Sequence, residues 1–393
     1  MYRATKDIVL PTTITGSLPR PAWYSENLGR RTFIEAMIDA RFREQYTDAV
    51  SCFLRDQEIA GLDIYTDGDA RFDTEVNGYS WFSYPMMRLG GLSLDQAYGR
   101  PQFKGRLPYP RGHILHEGME ARLLPRITGP VTPGDLQYTM IWTTAQRLTQ
   151  KPVKFGTITA ELLAMAVRDD HYKDRRQCIM AISDALRDEL TKLADAGCAV
   201  IQMEEPQVHL IGPRGGVDSL LTPEFMVEVF NNTVKGLRAK AEVWCHTCWG
   251  NPAQQRIILD SQSYKPALAN LNRCDADVLT FETCTAGGQD LDAIGKEITD
   301  KKIAIGVIDH HSLQVERPEE VAALIRQALK HIPAERLVIS SDCGMGREGM
   351  SRRHALYKMI SLVQGTNIVR RELGLPEARC LAADPKFSLT ELI

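Results

Sequence analysis

The sequence predicts an α/β protein, a (β/α)8 TIM barrel with an irregular insertion after its second strand. Three observations carry this. Short apolar runs recur eight times along the 393 residues. Stretches with helical spacing lie between them. Each run ends on a reactive polar residue.

The runs are "DIVLPTTITG" (7–16), "GLDIYTDGD" (61–69), "VKFGTIT" (153–159), "CAVIQMEEP" (198–206), "AEVWCHTC" (241–248), "ADVLTFET" (276–283), "KIAIGVID" (302–309) and "RLVISSDCG" (336–344). Near-continuous apolar character marks strands buried on both faces, as in parallel sheets. Between them, "CIMAISDALRDELTKLADAG" (178–197) places apolar residues at 178, 179, 182, 186, 190 and 193 and ends on Gly197. "TPEFMVEVFNNTVKGLRAK" (222–240) is a second helix, and "PEEVAALIRQALKHIP" (318–333) a third, with acids at its start and Lys330 and His331 at its end, as the helix dipole favours. Alternation of this kind predicts a parallel sheet, and eight strands in one such chain predict a closed barrel. An open doubly wound sheet would want a G-x-G-x-x-G turn after its first strand, and none is present. Residues 70–150 break the alternation and are rich in aromatics, Gly and Pro. They are expected to form an insertion (a lid, an oligomer contact or a loosely packed surface excursion) within one domain spanning 1–393; a homo-oligomer stays open.

Composition narrows the function. The chain is 44% hydrophobic and 25% charged with net charge -3 and has no Lys/Arg tract, so nucleic acid is not an expected partner. No run of 18 apolar residues and no signal-peptide core occurs, which makes a soluble cytoplasmic protein without membrane contact the expectation. Nine cysteines, an odd and scattered set, do not form a disulfide framework.

The strand ends carry Ser17; Asp67 and Asp69; Thr159; Glu204 and Glu205; His246 and Cys248; Glu282; Asp309, His310 and His311; and Cys343. In a barrel they converge on the C-terminal rim, where barrel enzymes place their chemistry. Side chains alternate along a strand, so His246 and Cys248 share a face while Cys245 faces the helices. Two ligands do not hold zinc. With Glu282 and Cys343 from other strand ends, His246 and Cys248 make a candidate Zn2+ site. Two thiolates and a carboxylate would leave the ion a poor generator of hydroxide. A coordinated substrate thiol would still lose its proton and stay nucleophilic at neutral pH. That chemistry is alkyl transfer to sulfur. A redox role for the Cys245/Cys248 pair is the competing reading of the C-x-x-C.

"TTITGSLPRP", "TDGD", "CAVIQMEEP", "CHTC", "DADVLTFET", "GVIDHHS" and "SSDCGMG" resemble, in this order, the catalytic barrel of cobalamin-independent methionine synthase. The resemblance is strongest over 153–365. It implies a zinc-dependent methyltransferase acting on a small-molecule thiol, with a methyl donor as second substrate. It places His246, Cys248, Glu282 and Cys343 as zinc ligands, Ser17 beside the thiol, Asp69 near the substrate amino group and Glu204 near substrate and donor. His311 matches a histidine that protonates the leaving group. On this reading Glu204, Asp309 and His311 are the catalytic set, and Ser17, Asp69 and Glu205 bind substrate. The chain departs from the family at Leu163, which stands about where a pterin-stacking Trp is expected. Related single barrels set two alternatives. One is epoxyalkane:coenzyme M transferase chemistry, for which Arg20, Arg71 or Arg347 would take a sulfonate. The other is zinc-free decarboxylation of the uroporphyrinogen decarboxylase kind.

Overall fold

A computed structural model describes residues 2–72, 80–99, 123–165, 167–204, 208–209, 221–249, 263–346 and 349–383. Its strands are β1 (Tyr65–Thr66), β2 (Gly90–Gly99), β3 (Leu123–Thr132), β4 (Val153–Ile158), β5 (Arg168–Asp169), β6 (Val200–Glu204), β7 (Glu242–Thr247), β8 (Val278–Phe281), β9 (Lys302–Gly306) and β10 (Leu337–Ser340). Seven form one sheet in the order β1-β4-β6-β7-β8-β9-β10, and every neighbouring pair is parallel.

Residues 11–13 close the ring. Ile339 N–H donates to Pro11 O and Thr13 N–H to Ile339 O, both at 2.9 Å. On the other edge Asp63 and Ile64 N–H donate to Thr12 O at 3.0 and 3.1 Å. The run expected as a strand over 7–16 is therefore an eighth stave reduced to one bridge. Pro11 has no N–H for a ladder, and Leu10 sits at φ 54, a conformation no strand uses. Side chains carry the remainder of the closure. Asp63 Oδ2 accepts from Thr12 N–H at 2.9 Å and from Arg370 Nη2 at 2.7 Å. Arg370 also donates to Leu10 O at 2.9 Å.

Inside the barrel Ile64, Val200, Trp244, Val278, Ala304 and Val338 form a small separate apolar cluster. Residues of the opposite parity, such as Val243 and Cys245, join the main core between strands and helices. The three helices expected from spacing are Arg175–Asp195, Pro223–Thr233 and Pro318–Leu329. The first starts at a capping Asp174, whose carboxylate accepts from Gln177 N–H. The second stops short of 240 because Gly236 follows in the left-handed region at φ 85. Among the described residues no helix is long and apolar enough to cross a membrane.

Within 70–150, expected to be irregular, the described residues carry a helix (Ser80–Arg88) and an antiparallel ribbon of β2 and β3 extended by β5. Tyr138–Gln146 is already a helix of the barrel layer, with Tyr138, Ile141 and Ala145 fully buried. The helix of the excursion reaches the rim through Tyr84, over whose ring the Arg71 guanidinium lies at 5.6 Å. Residues 73–79 and 100–122 of the excursion lie outside the described residues.

Candidate metal centre and substrate rim

Glu204, His246 and Thr280 are register partners across β6, β7 and β8, so they form one tier at the C-terminal end of the barrel. His246 is 1% exposed, and its Nδ1 lies 2.6 Å from Thr280 Oγ1. Its Nε2 is buried and has no hydrogen-bond partner among the described residues. A ring nitrogen of His246 and the sulfurs of Cys248 and Cys343 lie within 4.8 Å of one another, and with Nδ1 engaged by Thr280 the nitrogen available to that group is Nε2. Cys248 Sγ and Cys343 Sγ are 3.5 Å apart and are not joined in a disulfide. Two sulfurs on one tetrahedral ion at the usual bond length would stand about 3.8 Å apart. One imidazole nitrogen and two thiol sulfurs, all buried and close together, are a donor set that fits a soft divalent ion. Cys245 lies on the helix side as its parity requires, with the thiol of Cys274 against it.

Glu282, the expected fourth ligand, falls in a second group with His310 and His311. Its Oε2 accepts from Trp249 N–H and its Oε1 from Thr285 Oγ1, both at 2.7 Å. Burial raises its carboxyl above the ordinary range against the pull of those two donors. The carboxylate also feels Cys343 and His311 electrostatically, which places it between the thiol cluster and the histidines.

The loop after β9 presents Asp309 and His311 as a pair. Asp309 Oδ1 accepts from His311 N–H at 2.6 Å and lies 3.3 Å from His311 Nδ1. Burial would raise Asp309, but the hydrogen bonds from His311 outweigh it and leave the carboxyl below its ordinary value. His311 Nε2 has no hydrogen-bond partner among the described residues. An imidazole oriented through Nδ1 with Nε2 left open is the arrangement of a general acid. Lys358, fully buried, holds the loop by donating to Asp309 O at 3.0 Å and to Glu316 Oε1 at 2.9 Å.

The other expected residues continue the rim beyond Cys343. Ser17 O accepts from Met345 and Gly346 N–H at 2.7 and 3.1 Å, which seats the loop after Cys343 on Ser17. Gly344 is required there, since a Cβ would come 2.1 Å from Ser17 Oγ. Asp69, at φ 51, is 2% exposed. A Cβ on Gly16 would meet Asp69 Oδ2 at 3.3 Å and Glu204 Oε1 at 3.4 Å, so the two carboxylates border the same small space. Burial pushes Asp69 up to about 7 although Arg71 Nη2 lies 3.3 Å from Oδ1. Glu205 lies outside the described residues.

Two residues at this rim escape the sequence patterns. Lys154 is buried inside the barrel, donates to Ile14 O and Gln202 Oε1 at 2.8 Å each, and stands 4.7 Å from the Trp244 ring. Gln202 Nε2 passes the contact on to Glu204 Oε1 at 3.0 Å. Burial drives the Lys154 ammonium down to about 7 despite the nearby acids. Asp342, beside Cys343, is the other, and it binds three backbone N–H groups of the neighbouring loop.

A parallel eight-stave barrel with a thiol–imidazole donor set and carboxylates on its C-terminal rim defines the class. The chain belongs to the cobalamin-independent methionine synthase family: the pattern described as cobalamin-independent synthase, catalytic domain, matches residues 114–364. It is 27% identical over 379 residues to the methionine synthase of Saccharolobus solfataricus, covering 93% of this chain and 96% of that one. The methionine synthase of Sulfurisphaera tokodaii is 28% identical over 380 residues, covering 93% and 94%. A B12-independent methionine synthase from Shewanella sp. W3-18-1, solved with selenomethionine, superposes with TM-score 0.75 at 24% identity, covering 93% of this chain and 99% of that one. A methyltransferase from Methanosarcina mazei does so with TM-score 0.55 at 14% identity, covering 94% and 97%. At these identities the two structures establish the fold.

Proposed function

We propose that this protein is a zinc-dependent thiol methyltransferase that methylates the sulfur of homocysteine to give methionine. The observation that carries the reading is the buried His246 Nε2 facing Cys248 and Cys343. Those three residues would hold the ion, with Glu282 as an exchangeable fourth ligand. Bound zinc supplies one thing, a substrate thiol kept as thiolate at neutral pH. Everything else is done by the chain. Ser17 anchors the loop that carries Cys343. Asp69 and Glu204 face a common space beside Gly16 and suit the substrate ammonium. As the methyl carbon leaves the donor for sulfur, the donor atom gains a pair of electrons and His311 gives it a proton, with Asp309 holding the imidazole.

The donor is a second small molecule. Leu163, compared above with a pterin-stacking Trp, is fully buried in helix Ala160–Ala164 and belongs to the core. Addition of the thiolate to an epoxide has less support. Arg71 is engaged by Asp67 and Asp69, and Arg20 donates to Tyr24 O, Glu26 O and Asn27 Oδ1. Arg347 lies outside the described residues.

Zinc K-edge absorption before and after homocysteine tests the proposal. The expected shell holds two sulfurs with nitrogen and oxygen, and gains a third sulfur on adding the thiol. Absence of zinc, or a shell indifferent to homocysteine, overturns it and returns zinc-free decarboxylation to the front.

A further inference from the structure

Asp342 is fully buried and its carboxylate is occupied by a loop that belongs to a different strand. Oδ1 accepts from Thr283 and Cys284 N–H at 2.9 Å each, and Oδ2 accepts from Thr285 N–H at 2.8 Å. Three consecutive amides converging on one carboxyl group fix the backbone that donates to it, although burial and the neighbouring Glu282 push that carboxyl well above its ordinary range. The loop so fixed follows Glu282 directly, and its Thr285 hydroxyl is the donor to Glu282 Oε1 at 2.7 Å. On its other side Asp342 is the chain neighbour of Cys343.

β9 lies between the two strands that carry these residues. The contact passes it because Gly306 has no side chain: a Cβ there would come 2.0 Å from Asp342 Oδ1. Thr283 Oγ1 donates to Gly306 O at 2.6 Å, so the same glycine receives the loop from the other side.

We propose that Asp342 is a positioning residue that ties the ends of β8 and β10 together across β9, so that Glu282 and Cys343 approach the metal centre as one unit. This rests on the zinc reading above. The Asp342 carboxylate reaches Glu282 through Thr285, which donates its N–H to the one and its hydroxyl to the other.

The test uses the full chain loaded with zinc and measures zinc release to a chromogenic chelator, with the K-edge shell and the thermal midpoint alongside. Asp342→Asn and Thr285→Val should each speed release by about tenfold or more, the size expected when a group supporting a ligand is removed. Both sulfurs should remain in the shell. The double variant should release zinc no faster than Asp342→Asn alone, and in a Glu282→Ala background neither change should add anything. Thr285→Val, which leaves the Asp342 carboxylate and its three amides in place, serves if Asp342→Asn does not fold. Release unchanged in both Asp342→Asn and Thr285→Val, or effects that persist without Glu282, would overturn the proposal alone. A wild-type protein that takes up no zinc would instead sink the proposed function, and this inference with it.

Discussion

His246 and Thr280 are register partners on adjacent parallel strands, and the 2.6 Å contact between Nδ1 and Oγ1 turns Nε2 toward the two thiols. The hydroxyl thus orients the imidazole and leaves the other nitrogen for a cation. Thr280→Val keeps the shape of the side chain and removes the hydrogen bond. Zinc affinity, measured by chelator competition, should fall about 10- to 100-fold while the fold is retained. Unchanged affinity would show that the strand alone aims the ring.

On the proposed mechanism the Asp309–His311 pair delivers the proton and takes no part in binding homocysteine. His311→Asn should lower kcat by roughly 10²- to 10⁴-fold, the range for a lost general acid, with little change in KM for homocysteine. Asp309→Asn should give a smaller loss in the same direction. Steady-state kinetics with methyltetrahydrofolate, whose nitrogen must take up the proton, would measure both. A rise in KM at constant kcat would reassign His311 to substrate binding.

Asp69 should make homocysteine binding depend on pH. Its carboxyl is raised to about 7, so it is neutral below that pH and ionised above it. An ionised carboxylate attracts the substrate ammonium, and the dissociation constant should therefore fall as pH rises through about 7. Asp69→Asn should bind more weakly and lose the inflection near 7, keeping only the steady slope that proton release by the bound thiol gives both proteins. Titration calorimetry of the zinc-loaded protein at a series of pH values decides it.

The barrel seam can be tested without substrate. Asp63→Ala leaves Arg370, 3% exposed, without its carboxylate partner and removes an acceptor from Thr12. Breaking a buried pair on one side costs about 3–5 kcal/mol, so urea unfolding should shift down by roughly 3 kcal/mol. A shift below about 1 kcal/mol would show that the backbone bridge at Thr12 closes the ring by itself.

What was legible beforehand follows from what kind of order each feature needs. The apolar runs and the parity of His246, Cys248 and Cys245 depend on local backbone period, which a single sequence carries. The strand ends were legible too, because a barrel gathers them by topology. Lys154 was not: a lysine in "VKFGTIT" has no local sign that Gln202 and Trp244 will meet it inside a barrel. Asp342 hid beside a more conspicuous cysteine, and its purpose is visible only when three amides from residues 283–285 are seen around it. The grouping of Glu282 with the histidine pair likewise depends on side-chain contacts between loops.

The single bridge at Thr12 makes the ring mechanically uneven. Six ladders join the seven strands to one another, whereas the stave leading to Ser17 shares one backbone bridge and is fastened largely by side chains: Asp63 to Thr12, Lys154 to Ile14 O and Gln202 to Thr15 O. A ladder of backbone bonds tolerates a change of side chain; a stave fastened by side chains does not. The seam is therefore the part of the ring that single substitutions can loosen, and because Met345 and Gly346 rest on Ser17 O, the loosening would pass to the loop that follows Cys343.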